Sequence, residues 1–256
     1  MGKRRPSPRL RSLADIVQRT PARHRLRVRN DVQRLQEAGL QSVADLTVAV
    51  QSSGTDPDVR SLSCWAIAEM RPRGWIQLLG SVARVDPHVG VAHAAINGLL
   101  RDGSRLARRT IHDGLLDGVH PANRIAAAWA LGTMHAKRAA ALLVRVATSP
   151  REAVEVRAEA AEALGYLGNR LAVEPLIGLL SDPAGDVRAN AAFALGNLAD
   201  PRALPFLEKL STDGTAAGTL GRICDVASEA AKTIRRHQGY SKRPPRSKRR
   251  RPRSSR

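Results

Sequence analysis

A short pattern returns along most of this chain at intervals near 32 residues, and it constrains the fold more than anything else in the sequence. Residues 163–167 (ALGYL) and 194–198 (ALGNL) are close copies, 130–134 (ALGTM) is a third and 66–70 (AIAEM) a looser fourth. Six residues before each stands an arginine: Arg60, Arg124, Arg157 and Arg188. The unit is clearest between Asp182 and Asp213, where it reads as two helices joined by a short turn. A unit this small cannot bury its apolar faces alone, so successive copies must stack on one another.

Taking the arginine as position zero, Gly90 occupies it in a second copy and Ala227 in a degenerate sixth, which gives intervals of 30, 34, 33, 31 and 39 residues. Positions −1, +3, +7 and +10 share one helical stripe and are mostly Val, Ala, Leu and Met. Positions +4 and +8 are small, as in Ala94 and Gly98, Ala128 and Gly132, Ala161 and Gly165, or Ala192 and Gly196. Small residues at this spacing let a neighbouring helix approach closely, which offsets the helix-propensity cost of about 1 kcal/mol for each glycine. A Leu-rich second helix follows each Ala-rich first one, as in 171–180 and 203–210. The turns repeat too: Asp56-Pro57, Asp86-Pro87, His120-Pro121, Ser149-Pro150 and Asp182-Pro183 precede the first helices, where proline suits the opening turn and Asp or Ser caps it.

These residues resemble the HEAT-repeat family, in particular its short bacterial subclass named after phycobilisome lyases. The resemblance covers roughly 55–238 and is strongest in the copies holding Arg157 and Arg188. It implies an all-α fold: a right-handed α-solenoid of about six HEAT-like helix pairs, with the first helices along the concave side. It also implies that the repeated arginine is structural, meeting turn acids along the stack. The second copy departs from the pattern, with Gly90, His93 and Asn97 where Arg, Ala and Leu are usual.

Outside the repeats, the organisation follows from charge and apolar content. Residues 1–9 have nothing to bury and are expected to be a disordered basic N-terminus. Residues 10–54 carry weak helical periodicity and are expected to form an N-terminal helical cap, with Gly39 closing one helix and Ser42 capping the next beside Asp45. The repeats fill 55–238, and 239–256 is a polybasic tail. Of a net charge of +19, residues 1–34 carry +9 and 235–256 carry +11, leaving −1 on the body between them. The neutral body and its basic ends therefore call for separate explanations.

Catalytic signatures are sparse. Deoxyhypusine hydroxylase, a metal enzyme with similar repeats, uses His-Glu dipeptides, and this sequence contains none. The seven histidines stand apart from carboxylates or cysteines at metal-ligand spacing. His93 falls on the core stripe four residues before Asn97, a spacing at which the two can satisfy each other inside the helix pair. Cys64 and Cys224 form no redox or metal spacing and are expected as small buried apolar residues in a reducing compartment. No catalytic residue, metal ligand or cofactor is expected. Bilin lyases carry such repeats, usually as one of two partner subunits, but no residue here specifically supports that assignment.

Position +5 of the first helix is the outward one, usually Glu or Lys in the family. Here its six copies are Trp65, Ala95, Trp129, Glu162, Phe193 and Lys232. Neighbouring positions add Leu62, Leu99, Ile125 and Tyr166, so four of the seven aromatics in the chain share one stripe. Two readings stand: a partner-binding groove lined by Leu62, Trp65, Leu99, Ile125, Trp129, Tyr166 and Phe193, or ordinary packing between curved repeats. The tail residues Lys242, Arg243, Arg246, Lys248, Arg249, Arg250, Arg251 and Arg253 would bind nucleic acid or another polyanion without sequence preference, or serve solubility or targeting.

The sequence thus points to a cytoplasmic, non-enzymatic scaffold that binds a protein partner in its concave groove. Its alternatives are a nucleic-acid-associated repeat protein, and an enzyme or enzyme subunit such as a bilin lyase-like factor or a hydroxylase-related oxidoreductase. No apolar run is long enough for a transmembrane span.

Overall fold

The structure, a computed structural model, describes residues 12–114 and 116–241. Three helices precede the repeats: α1 (Leu13–Arg19), α2 (Ala22–Glu37) and α3 (Val43–Gln51). Ser42 and Asp45 form the expected reciprocal cap on α3, and Gly39, at φ 79°, takes the left-handed conformation that ends α2. Helix pairs follow as α4 (Pro57–Met70) with α5 (Trp75–Val85), α6 (Val89–Asp102) with α7 (Arg105–Gly114), and α8 (Pro121–Thr133) with α9 (Ala140–Ala147). Next come α10 (Val154–Leu167) with α11 (Val173–Leu179), and α12 (Gly185–Leu198) with α13 (Leu204–Leu210). A single helix, α14 (Ile223–Ser241), closes the described chain. The fold is an α-helical solenoid, and within the described residues the sixth copy supplies one helix rather than a pair. The insertion before α14 folds into two short strands, Ala216–Ala217 and Gly221–Arg222, paired antiparallel.

Contacts between first helices fix the register of the repeat. Gly132 lies against Ala163, Gly165 against Ala194 and Gly196 against Ala230. Position +8 of one copy therefore meets position +6 of the next. Gly98 lies against Ala68, which is itself at +8 of the first copy, so Gly98 stands at +6. Position zero of the second copy is then Ala92 rather than Gly90. Helix α6 agrees, since it begins three residues before Ala92, as α4, α8, α10 and α12 begin three residues before their arginines. In the same way Ala230 at +6 makes Cys224, not Ala227, position zero of the sixth copy. Ile223, Ala227, Ala231 and Ile234 then fall on the buried stripe. The intervals become 32, 32, 33, 31 and 36, more regular than the sequence alignment implied.

The repeated arginines bind across copies. Arg60 donates to Asp86 at 2.9 Å, Arg124 to Glu152 at 3.0 Å, Arg188 to Asp213 at 2.9 Å, and Arg157 to Asp182. Each acid lies in the turn leading into the following copy. Arg124 and Arg188 also donate to the carbonyls of Gly118 and Asp182, six residues earlier in their own turns. Arg60, Arg124 and Arg188 thus satisfy carbonyls of the turns before their helices, and all four guanidinium groups neutralise an acid of the next layer. Ala92 has no such reach, and Asn123 serves that junction instead by donating to the Asp86 carbonyl at 2.7 Å. The Asp-Pro turns are less uniform than expected. Among the first helices proline occupies the opening turn only in α4 and α8, whereas Asp86 and Asp182 accept from His88 and Ala184 in turns that precede their helices.

First helices pack on one another along their length, while second helices beyond α5 and α7 hardly touch their counterparts. Layers that are closer along one edge make a stack bend toward that edge, so the first helices form the inner face. The close edge depends on missing Cβ atoms. A Cβ on Gly165 would stand 2.7 Å from the Ala194 Cα, whereas one on Gly178, in α11, would meet nothing within 4 Å. Gly165→Ala should destabilise the protein by about 1–2 kcal/mol, because overpacking against backbone exceeds the gain of about 1 kcal/mol in helix propensity. Gly178→Ala should stabilise it by about 0.5–1 kcal/mol. Urea denaturation followed by circular dichroism measures both.

Candidate binding groove

In the corrected register the outward row of the inner face is Trp65, Asn97, Trp129, Glu162, Phe193 and Glu229. The second and sixth members replace the Ala95 and Lys232 expected from sequence. Ala95 is fully buried, and Lys232 belongs to position +8, where no further helix covers it.

Six of the seven groove residues named from sequence lie on this face. Leu62, Trp65, Ile125 and Trp129 are half-buried and pack against the core from its inner side. Phe193 is half-buried and Tyr166 is 42% exposed. Leu99 is the exception: it is fully buried, because in the true register it stands at +7 on the core stripe. The polyanion-binding candidates from Lys242 to Arg253, like the basic segment 1–9, lie outside the described residues.

The aromatic side chains make two edge-on pairs. Trp129 meets His93 with ring centres 5.3 Å apart, and Phe193 meets Tyr166 at 6.0 Å, separations in the favourable range for such contacts. The Trp129 pair occupies the seam between α6 and α8, the loosest among adjacent first helices, where position +8 is Leu100 instead of glycine or alanine. The expected His93–Asn97 pairing does not form. Asn97 points to solvent, and the buried Nε2 of His93 has no hydrogen-bond partner. Burial holds the His93 imidazole below its usual pKa and keeps it neutral. Cys64 is buried and its thiol is pushed up to about 12, chiefly by desolvation, whereas Cys224 is only half-buried.

Charge is distributed unevenly along the face. At the first end, α2 crosses near α4 and α6 and encloses a cleft of about 530 Å³, with Trp65 and Leu62 against His24, Arg27, Arg34 and Arg101. At the last end a cavity of about 360 Å³ lies between α12 and α14, with Phe193, Leu220 and Val226 beside Asp225 and Glu229. Between them, on α10, stand Glu159 and Glu162. Glu162 accepts a hydrogen bond from the Tyr166 hydroxyl at 2.9 Å, and burial with that bond pushes the phenol up to about 12. Glu159 is a site residue missed from sequence, although its spacing of three from Glu162 puts both carboxylates on one helical face. Burial, then repulsion from Glu162, holds the Glu159 carboxyl up at about 7. Neither carboxylate meets a cation among the described residues. No group of three or more His, Cys, Asp or Glu among the described residues could hold a metal ion, and no described helix is long and apolar enough to cross a membrane.

A carboxyl whose folded-state pKa exceeds its unfolded value near 4.5 contributes stability at low pH that is lost as pH rises toward 7. Glu159→Gln should therefore raise the melting temperature at pH 8 and leave it nearly unchanged at pH 4. The gain at pH 8 should be on the order of 1–3 kcal/mol. Thermal denaturation at the two pH values checks this.

Comparison with known proteins places the repeats. The model for HEAT repeats matches residues 152–223, and that for the PBS lyase HEAT-like repeat matches 124–149. The phycocyanobilin lyase subunit alpha of Picosynechococcus sp. is 45% identical over 78 residues, which are 30% of this chain and 29% of that protein. The subunit of the same name from Nostoc sp. is 42% identical over 100 residues, 36% of each chain. The similarity thus spans only about a third of the length of these relatives. The solved complex of CpcE and CpcF of phycocyanin lyase from Nostoc sp. aligns over 93% of both chains at 18% identity with a TM-score of 0.42, too loose a likeness to bear on function. With the layered helix pairs and the arginine contacts between layers, the matches identify residues 152–223 as HEAT repeats and 124–149 as a HEAT-like repeat of the PBS lyase type.

Proposed function

We propose that this protein is a non-enzymatic scaffold that holds a protein partner along its inner face. The observation that carries this reading is the row of half-buried rings, Trp65, Trp129 and Phe193, at the outward position of three first helices, with Tyr166 standing out beside Phe193. A ring fixed at its base by the core and open at its edge presents apolar area at little entropic cost, as interface anchors do. The clefts at both ends of the row add concave surface of the kind that receives side chains. The basic ends of the chain would add sequence-independent attraction to polyanions, and a cytoplasmic location suits this role. The test is capture of a partner from native lysate, with nuclease present, by the full chain and by the Trp129→Ala, Phe193→Ala double variant. The wild type should retain a defined protein, and the double variant should bind it about thirty-fold more weakly, a loss of about 2 kcal/mol, with unchanged helical circular dichroism. Equal retention by both proteins overturns the reading.

A second reading rests on the curated relatives, which are named as phycocyanobilin lyase subunits. It makes the chain a bilin lyase-like factor whose cleft by Trp65, with its arginines, receives an anionic ligand. On this reading, phycocyanobilin added to the purified protein should show a saturable change in its absorption spectrum that Trp65→Ala with Arg27→Ala removes. An unaltered spectrum rejects it.

A further inference from the structure

The two ends of the inner face differ in chemistry, and the difference specifies what can lie on each. The first end gathers His24, Arg27, Arg34 and Arg101 from α2 and α6 around one lining carboxylate, Asp31, with Asp58 and Glu69 paired to Arg34 and Arg101. Over the last three copies the same face carries Glu159, Glu162, Asp225 and Glu229 and no first-helix cation at the outward position. Asp225 and Glu229 have cations nearby: Arg222 at 3.0 Å, and Lys232 and Arg236 at 3.3 and 3.5 Å. These are solvent-exposed contacts along one helix and its approach, of the kind that yield readily to a competing charge. Among the described residues Glu159 and Glu162 have no cation, although they are the less exposed members of the set.

Aromatic surface flanks those two carboxylates. Trp129 stands on the preceding first helix, at the position equivalent to Glu162. On the other side Tyr166 is hydrogen-bonded to Glu162 and packs edge-on against Phe193. Beyond Phe193 opens the apolar cavity rimmed by Asp225 and Glu229. Carboxylates set beside half-buried rings attract a flat cation better than a compact one. A guanidinium can donate bidentate hydrogen bonds to a carboxylate and stack on a ring, while an ammonium cannot do both.

We propose that the inner face of the last three copies is a docking surface for a partner segment carrying arginine among apolar side chains, with one guanidinium seated against Glu159 and Glu162 between Trp129 and Phe193. The proposal rests on the groove reading above and adds the chemistry and placement of the occupant. An apolar side chain next to that arginine fills the cavity between α12 and α14. The carboxylate that burial leaves half-protonated near neutral pH becomes a full anion once the guanidinium arrives. The charge distribution allows this: the excess of positive charge lies on residues 1–34 and 235–256, and the body between them has a net charge of −1, so no large positive field opposes a basic segment there.

The probe is fluorescein-labelled nona-arginine, titrated with the full chain at 150 mM salt and followed by anisotropy. The wild type should bind it saturably. Glu159→Gln with Glu162→Gln should weaken binding at least tenfold, while Glu37→Gln with Glu208→Gln, which removes the same charge from exposed sites elsewhere, should change it less than twofold. The inner-face pair should fold at least as well as wild type, because it relieves a desolvated carboxylate. No saturable binding by wild type, or an equal loss in both double variants, overturns the proposal. The groove reading is judged separately by the Trp129→Ala, Phe193→Ala variant, which removes ring area and keeps both carboxylates. A partner lost by that variant and kept by the carboxylate pair therefore sinks the arginine assignment alone.

Discussion

The contact on which this fold depends is the approach of one first helix to the next at a point where one of them has no Cβ. Gly132, Gly165 and Gly196 each let the following helix come so near that a methyl group would stand about 3 Å from its backbone. Beyond the contact of α5 with α7, that closeness is present on one edge of the stack only, so the layers bend. It also sets the register, because a glycine can meet only the small residue opposite it. The arginine contacts follow from the same geometry: with layers this close, a guanidinium at the start of one helix reaches the acid in the next turn.

The second copy shows how the rule works when its parts are exchanged. The junction between α4 and α6 also needs a missing Cβ, but Ala68 stands where the glycine is usual and Gly98 supplies the space from the opposite wall. One glycine per junction is enough, on either helix. At the next junction Ala130 keeps its place at +6, but Leu100 takes the place of the small residue at +8. The seam loosens, and the edge-on pair of Trp129 and His93 occupies its inner side. The unpartnered Nε2 of His93 is tolerated because burial keeps the ring neutral, so only one polar atom goes without a partner.

The inner face inherits its chemistry from this scaffold. Its rings are held at their bases by core residues and open at their edges. Its charges are positive where α2 lies over the first copies and negative from α10 onward. A body whose net charge is close to zero thus contains two opposed surfaces, and Glu159 with Glu162 is where the negative one is least compensated.

Much of this was readable in the sequence. The repeat length, the alternation of Ala-rich and Leu-rich helices, the structural arginines, the caps at Ser42 and Asp56, and the outward placement of Trp65, Trp129 and Phe193 all follow from side-chain size and periodicity, which act within a helix or between adjacent turns. The errors came where a residue's meaning depends on a partner far along the chain. Gly98 resembles the glycine of other copies in sequence, yet it lies on the other side of the junction, and that two-residue difference moved Leu99 from the core to an imagined surface. Glu159 was overlooked because a carboxylate two residues after the repeated arginine is unremarkable until the neighbouring helices desolvate it. The sequence by itself therefore determined what kind of unit repeats and which face of each helix is apolar. Which residues of successive units touch, how the stack bends, and which charges are left without a partner were decided only by the tertiary structure. Those properties belong to pairs of residues on different helices, and no local pattern encodes the pair.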